Sequence, residues 1–456
     1  MTNESTKNEG PEKHPEPHAA PLADGPSPQE GRGLARVLPD VTLLRTSRDF
    51  RLVWTAGLIG MLGSAFPLLV AVPLQVMRIT GSTVAVGLIG VAELIPMLLL
   101  GLYGGALADA VDRRRLVLLT EVGLAVTTAG MLANALLDRP LLWPLYVGAA
   151  LTAALQALQW PAAGAMVPQL VPHEQLPAAA SLGSLSGNLA VVVGPALGGV
   201  VAATAGLPAA YLIGLATFVG SIVLLCRVRP LPARAESEPA SLRGIGEGLR
   251  YVGARPVLLG TNLVDLVVTV FALPTALFAF LADDLDAMWA LGLLYAAPAA
   301  GSIAAGATSG WLGRVDRHGR VVVVASAVSA AAILGAGLAG TIALLLPLLV
   351  LAGAGNCLAD AASSVIWNQS VPDRIRGRLA GIELLAGEIG PTLGQVRSGF
   401  VAARLGVRAA VWTGGLAALG GAGVLGGALR GLWRYDARTD PDAVAAKRDR
   451  EVVPTD

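Results

Sequence analysis

Windows of about twenty apolar residues, separated by short polar or charged turns, recur along the chain between residues 52 and 433. A helix crossing roughly 30 Å of hydrocarbon needs about 20 such residues, so each window reads as one membrane-spanning helix. Six fall in the first half, over 52–77, 84–108, 116–137, 141–167, 182–203 and 209–226. Six fall in the second, over 257–281, 289–312, 321–339, 341–366, 379–402 and 409–433. The ninth and tenth form one apolar stretch too long for a single crossing, which we divide near Gly340. The predicted fold class is an all-α membrane protein with twelve transmembrane helices in two six-helix, pseudo-symmetric bundles.

Arginine sits in alternate turns. Arg113, Arg114 and Arg115 follow the second predicted helix; Arg227, Arg229, Arg234, Arg243, Arg250 and Arg255 the sixth; Arg314, Arg317 and Arg320 the eighth; Arg374, Arg376 and Arg378 the tenth. The opposite turns hold few, and one carries the acidic run Asp283, Asp284 and Asp286. The positive-inside rule then places both termini in the cytoplasm. Residues 1–45, rich in Pro, Glu, Gly and Ser and without an apolar signal-peptide core, read as a disordered cytoplasmic tail. The bundles occupy 46–226 and 256–433, the linker 227–255, and a second cytoplasmic tail 434–456. Within the linker, Leu242, Ile245, Leu249 and Val252 are spaced as the apolar stripe of a helix lying on the membrane surface.

The halves repeat each other. Gly105 and Arg113–Arg115 have counterparts in Gly310 and Arg314–Arg320, Val171-Pro172 in Val371-Pro372, and Gly194-Pro195 with Gly198 in Gly390-Pro391 with Gly394. The offsets are about 205, 200 and 196 residues. Parallel six-helix repeats with a site at their interface are an architecture of alternating-access transporters.

Composition agrees: 54% hydrophobic and 14% charged residues exceed the apolar share of a soluble domain. A net charge of +1 argues against a nucleic-acid partner. Two cysteines, Cys226 and Cys357, both inside apolar runs, are too few for a disulfide framework. Four histidines, His14, His18, His173 and His318, lie in the first tail or in turns on the predicted cytoplasmic side. They form no metal-ligand cluster or Ser-His-Asp set, and no phosphate-binding loop is present, so an enzyme, a cofactor site and an ATP-driven pump are all disfavoured.

Acids deep in apolar helices are functional candidates because they are costly to place there. Four qualify, Glu93, Asp265, Asp360 and Glu388, as proton-coupling candidates; Asp265 and Glu93 rank first because each lies about nine residues from a membrane face. Coupling needs a carboxyl that titrates near neutrality, and burial favours the protonated form. Glu121 and Glu383, nearer the arginine-rich surface, read as gating or anchoring residues. Gln156, Gln159, Trp160, Asn262 and Asn356 are candidates for a cavity with aromatic and polar walls, suited to an amphiphilic organic molecule. Single polar residues in membrane helices serve as often as interhelical glue, the alternative role for each.

Two stretches resemble signatures of the major facilitator superfamily. Gly105, Asp109 and the basic run Arg113, Arg114, Arg115 resemble its loop motif between helices two and three, with Ala110 and Asp112 at two positions the family usually fills otherwise. This set would act as a conformational switch. Gly183, Ala190, Gly194, Pro195, Gly198 and Gly199 resemble its antiporter signature in helix five, with Ala190 for the second glycine. Val86-Gly87-Leu88-Ile89-Gly90, Leu291–Ala297 and Arg376-Gly377-Arg378-Leu379 extend the likeness to the subgroup of siderophore exporters and macrolide or multidrug proton antiporters. The resemblance implies a monomeric inner-membrane protein exporting a siderophore or hydrophobic drug in exchange for protons. Proton-coupled uptake and a non-transporting scaffold or receptor are the alternatives.

Overall fold

The computed structural model describes residues 42–172, 175–231, 250–271, 275–371, 373–441 and 443–444, all without strands. The first 41 residues, most of the linker with its amphipathic stripe, and the side chains of Asp109 and Glu388 lie outside what is described. The long helices are α1 (Arg48–Thr80), α2 (Thr83–Ala110), α3 (Arg113–Ala135), α4 (Trp143–Leu170), α5 (Leu176–Thr204) and α6 (Leu207–Cys226). They continue with α7 (Pro256–Phe271), α8 (Leu291–Thr308), α9 (His318–Leu338), α10 (Ile342–Ser370), α11 (Asp373–Leu405) and α12 (Val407–Ala428). Among the described residues, nine helical stretches are long and apolar enough to cross a membrane. Helix α4 falls short of that measure because Gln156, Gln159, Trp160 and two prolines interrupt it; α5 contributes the shorter apolar piece Val193–Thr204.

Helix ends follow local chemistry. Ser82 and Asp112 cap α2 and α3, each side chain accepting a backbone N–H three residues on. The division near Gly340 falls where expected, between α9 and α10. Helix α11 begins six residues before its predicted apolar window, its charged first turns extending past the hydrocarbon. Helix α12 stops earlier than its apolar run, at a non-helical Leu429 (φ −90°, ψ 68°), after which Arg430–Arg434 forms a separate short helix. Helix α1 widens into a π-helical stretch over Ala65–Ala71, a feature often found at functional positions.

The packing is the same in both halves. Helix α2 packs on α4, α3 on α4 and α6, and α1 on α5 and α6; correspondingly α8 packs on α10, α9 on α10 and α12, and α7 on α11 and α12. Adding six to each number converts one set into the other, as a parallel repeat requires. The repeated glycines mark equivalent contacts. A methyl at Gly194 would lie 2.5 Å from Ala65 Cβ on α1, and one at Gly390 would run into Thr269 on α7. Small residues of this kind let helix backbones meet in lipid, where the hydrophobic effect does not drive association.

The halves touch through α2 with α11 and α5 with α8, two contacts that the repeat also interchanges. Both lie at the end remote from the arginines. Thr83 Oγ1 donates to the Gly399 carbonyl (2.9 Å), and a methyl at Gly199 would stand 2.6 Å from Gly292 Cα. One apolar core spans both halves at this end, joining Val70, Leu74, Ile89 and Tyr211 to Leu277, Leu291, Leu345 and Val411. At the arginine-rich end the core divides. Phe50, Leu116, Met166 and Leu225 form one cluster wholly in the first half; Leu258, Val322, Ile366 and Leu432 form another wholly in the second. The molecule is therefore sealed at one end and split at the other.

Residues following α12 do not trail away. Tyr435 is buried and donates to Gln369 Oε1 (2.8 Å), and burial pushes its phenol up to about 12. Ala437 N–H donates to the Asp316 carbonyl (3.0 Å), Arg438 pairs with Asp316 (3.0 Å), and Arg317 stands 3.9 Å from Asp436. This segment straps the turn between α8 and α9.

Candidate functional site

Two of the predicted acids meet at mid-depth. Asp265 is nine residues into α7 and Asp360 ten residues before the end of α10, so at 1.5 Å per residue both lie about 14–15 Å from the arginine-rich end. Their carboxyls are within electrostatic reach of each other. Asp265 is half-buried and its carboxyl makes no hydrogen bond with any described residue; Asp360 is accessible and accepts from Asn356 Nδ2, one turn away (3.0 Å). Cys357, half-exposed, lies about one turn before Asp360 on α10 and close to Gly306 of α8. Two carboxyls and a carboxamide thus gather on α7 and α10. Alkylation of Cys357 by a membrane-impermeant maleimide, in a Cys226→Ser background, is expected to slow at least about tenfold when transported solute saturates the site, equivalent to about 1.4 kcal/mol. An unchanged labelling rate at saturation would place the solute elsewhere.

The remaining predicted residues are distributed as follows. Glu93 is half-buried on α2, ten residues from its start, and has an interaction of its own. Asn262 donates to the Leu258 carbonyl of its own helix (2.7 Å). Gln156 and Trp160 are half-buried on α4, near the apolar contact of Met97 with Ala153 and Ala157 that joins α4 to α2. Gln159 instead donates to Glu121 Oε1 on α3 (2.8 Å). Arg397 donates to the Phe271 carbonyl at the end of α7 (3.1 Å) and lies over that residue's ring, without a described carboxylate partner.

The arginines of the α2–α3 turn hold helix ends together. Arg114 donates to the carbonyls of Leu225 (3.0 Å) and Cys226 (2.7 Å) at the C-terminus of α6, where positive charge is favoured. Arg113 is buried and has a partner of its own, and Asp112, the departure from the loop motif, serves as the cap of α3. On α5, Gly194, Pro195, Gly198 and Gly199 are buried against α1 or α8, whereas Gly183 faces open space.

Sequence reasoning placed Glu121 near the surface. It is 3% exposed, and Gly60 of α1, Gln159 of α4 and Ser221 of α6 close around it. Counting from the preceding arginines gave a shallow position because α3 already begins at Arg113, which puts Glu121 two turns inside.

Comparison with known proteins agrees with this architecture. Solved structures with similar folds include the nucleoside transporter NupG (TM-score 0.62, 14% identity, 85% of this chain and 99% of that one). A bacterial homologue of ferroportin in an inward-facing state is also similar (TM-score 0.65, 16% identity, 88% and 100%). Curated relatives named enterobactin exporter EntS are 29% identical, over 376 residues in Salmonella typhimurium (81% of this chain, 89% of the relative) and 379 in Escherichia coli O1:K1 (81% and 88%). The family model described as transmembrane secretion effector matches residues 44–440. This chain accordingly belongs to the transmembrane secretion effector family, multi-pass membrane transporters of the major facilitator fold rather than enzymes.

Proposed function

We propose that the chain exports a small organic molecule, a siderophore or a hydrophobic drug or metabolite, by proton antiport and alternating access. The observation that carries this reading is the pair Asp265 and Asp360 at mid-depth in a molecule sealed at one end and split at the other. A gap at one end with ionisable groups near its floor is what an alternating-access carrier presents to one compartment. The arginine-rich end faces the cytoplasm by the positive-inside rule, which makes this the cytoplasm-facing conformation. Both termini are then cytoplasmic, and the protein is a monomer of the inner membrane whose halves divide at residues 227–255.

Coupling runs through Asp265, with Asp360, Glu93 and Glu388 as the other acids available. Gly105, Asp109 and Arg113–Arg115 form the switch at the cytoplasmic end of α2. The names of the EntS relatives direct the first substrate trials to enterobactin. Everted vesicles containing the protein should accumulate the solute when their interior is acidified and lose it on addition of a protonophore. Accumulation only under the reverse gradient would establish uptake, and solute movement indifferent to either gradient would remove proton coupling.

A further inference from the structure

Coupling through Asp265 leaves Glu121 without a task, although it is the more deeply buried carboxyl. It stands about 12 Å along α3, and three other helices meet it with one group each: α1 with Gly60, α4 with Gln159 and α6 with Ser221. Each is neutral; no lysine, arginine or histidine among the described residues faces it. Gly60 leaves room for the carboxyl, since a methyl there would stand 2.7 Å from Oε1. Gln159 satisfies Oε1, but Oε2 and the fully buried Ser221 hydroxyl beside it both lack a hydrogen-bond partner.

An ionised carboxylate so placed can draw on two neutral donors, Gln159 Nε2 and the Ser221 hydroxyl, but on no counter-charge, and a buried charge without one costs several kcal/mol. A proton on Oε2 removes that uncompensated charge, and the protonated oxygen can donate to Ser221 Oγ while Gln159 keeps its bond to Oε1. Gln159 is half-exposed, which leaves the carboxyl one side from which water can take or deliver the proton.

We propose that Glu121 is a proton-binding site of the first half, distinct from the Asp265–Asp360 pair, holding one proton on Oε2 in the cytoplasm-facing conformation and releasing it to water when Gln159 turns away. This inference deepens the proton-coupled reading above and rests on it for its part in transport. The occupancy itself can be read without transport.

Infrared difference spectra of the purified protein in lipid nanodiscs, taken through a pH titration, should contain a carboxyl C=O band that disappears in Glu121→Gln and persists in Asp265→Asn. Ser221→Ala, which removes the acceptor and keeps the volume, should shift that band. In proteoliposomes Glu121→Gln should shift the pH profile of efflux away from that of the wild type, Asp265 still titrating. A titration without the Glu121 band, a band that Ser221→Ala leaves unmoved, or a Glu121→Gln protein with the wild-type pH profile would each overturn the assignment. Because the spectra need neither solute nor gradient, absence of export would refute the transport reading while leaving the proton site standing.

Discussion

Asp265→Asn is expected to abolish efflux driven by a pH gradient while leaving solute binding intact. Asp265 and Asp360 lie at one depth on the neighbouring helices α7 and α10, close enough for each charge to act on the other. Two negative charges in a poorly polarisable medium repel strongly, and one proton between them relieves that repulsion. Asp360 is restrained by Asn356 Nδ2, whereas the Asp265 carboxyl has no described hydrogen bond and is freer to exchange a proton. Asparagine retains the volume and removes the titration. Gradient-driven efflux should fall at least about tenfold, a barrier change of about 1.4 kcal/mol, with solute exchange at equal pH preserved. Wild-type efflux with unchanged pH dependence would make Asp265 structural, and Glu93→Gln would then be the variant to measure.

Gly199→Leu should drive the protein out of the conformation described here. Its methyl-equivalent position is 2.6 Å from Gly292 Cα and 2.8 Å from Gly292 N, so the obstacle is backbone, which cannot rotate aside. Overpacking of this kind costs about 1–3 kcal/mol, and here it applies while the end remote from the arginines is closed. A ligand-free equilibrium then shifts by roughly 5- to 150-fold toward the opposite opening. Maleimide labelling of Cys357 from the arginine-rich side reports it and should slow accordingly. Gly183→Leu on the same helix, where a methyl would meet nothing within 4 Å, is the control expected to leave labelling unchanged. Equal labelling in both variants would show that this contact does not set access.

The helices were legible because hydrocarbon thickness fixes the length of an apolar run, and even the cut near Gly340 could be placed. The parallel repeat was legible from Gly194 and Gly390, whose contacts with α1 and α7 correspond. The end of α12 was read five residues too late, although Arg430, directly after the non-helical Leu429, marks it. Within the candidate site, the depth of Asp265 and Asp360 could be counted, but their approach across α7 and α10 depends on helix rotation, which apolar windows do not encode. Gln159 could be read as polar and mid-membrane; that it turns to Glu121 follows from the packing of α3 on α4. A signal for Glu121 did exist, in the residues without bulk or charge at similar depth on α1 and α6, Gly60 and Ser221, but those helices must first be known to be neighbours.

The strap formed by Tyr435, Ala437 and Arg438 on the turn between α8 and α9 bears on biosynthesis. These residues follow the last long helix in the chain, so the turn between α8 and α9 stays unfastened until the segment after α12 has been made. A nascent chain lacking its last stretch would carry all its helices in the bilayer with this turn loose.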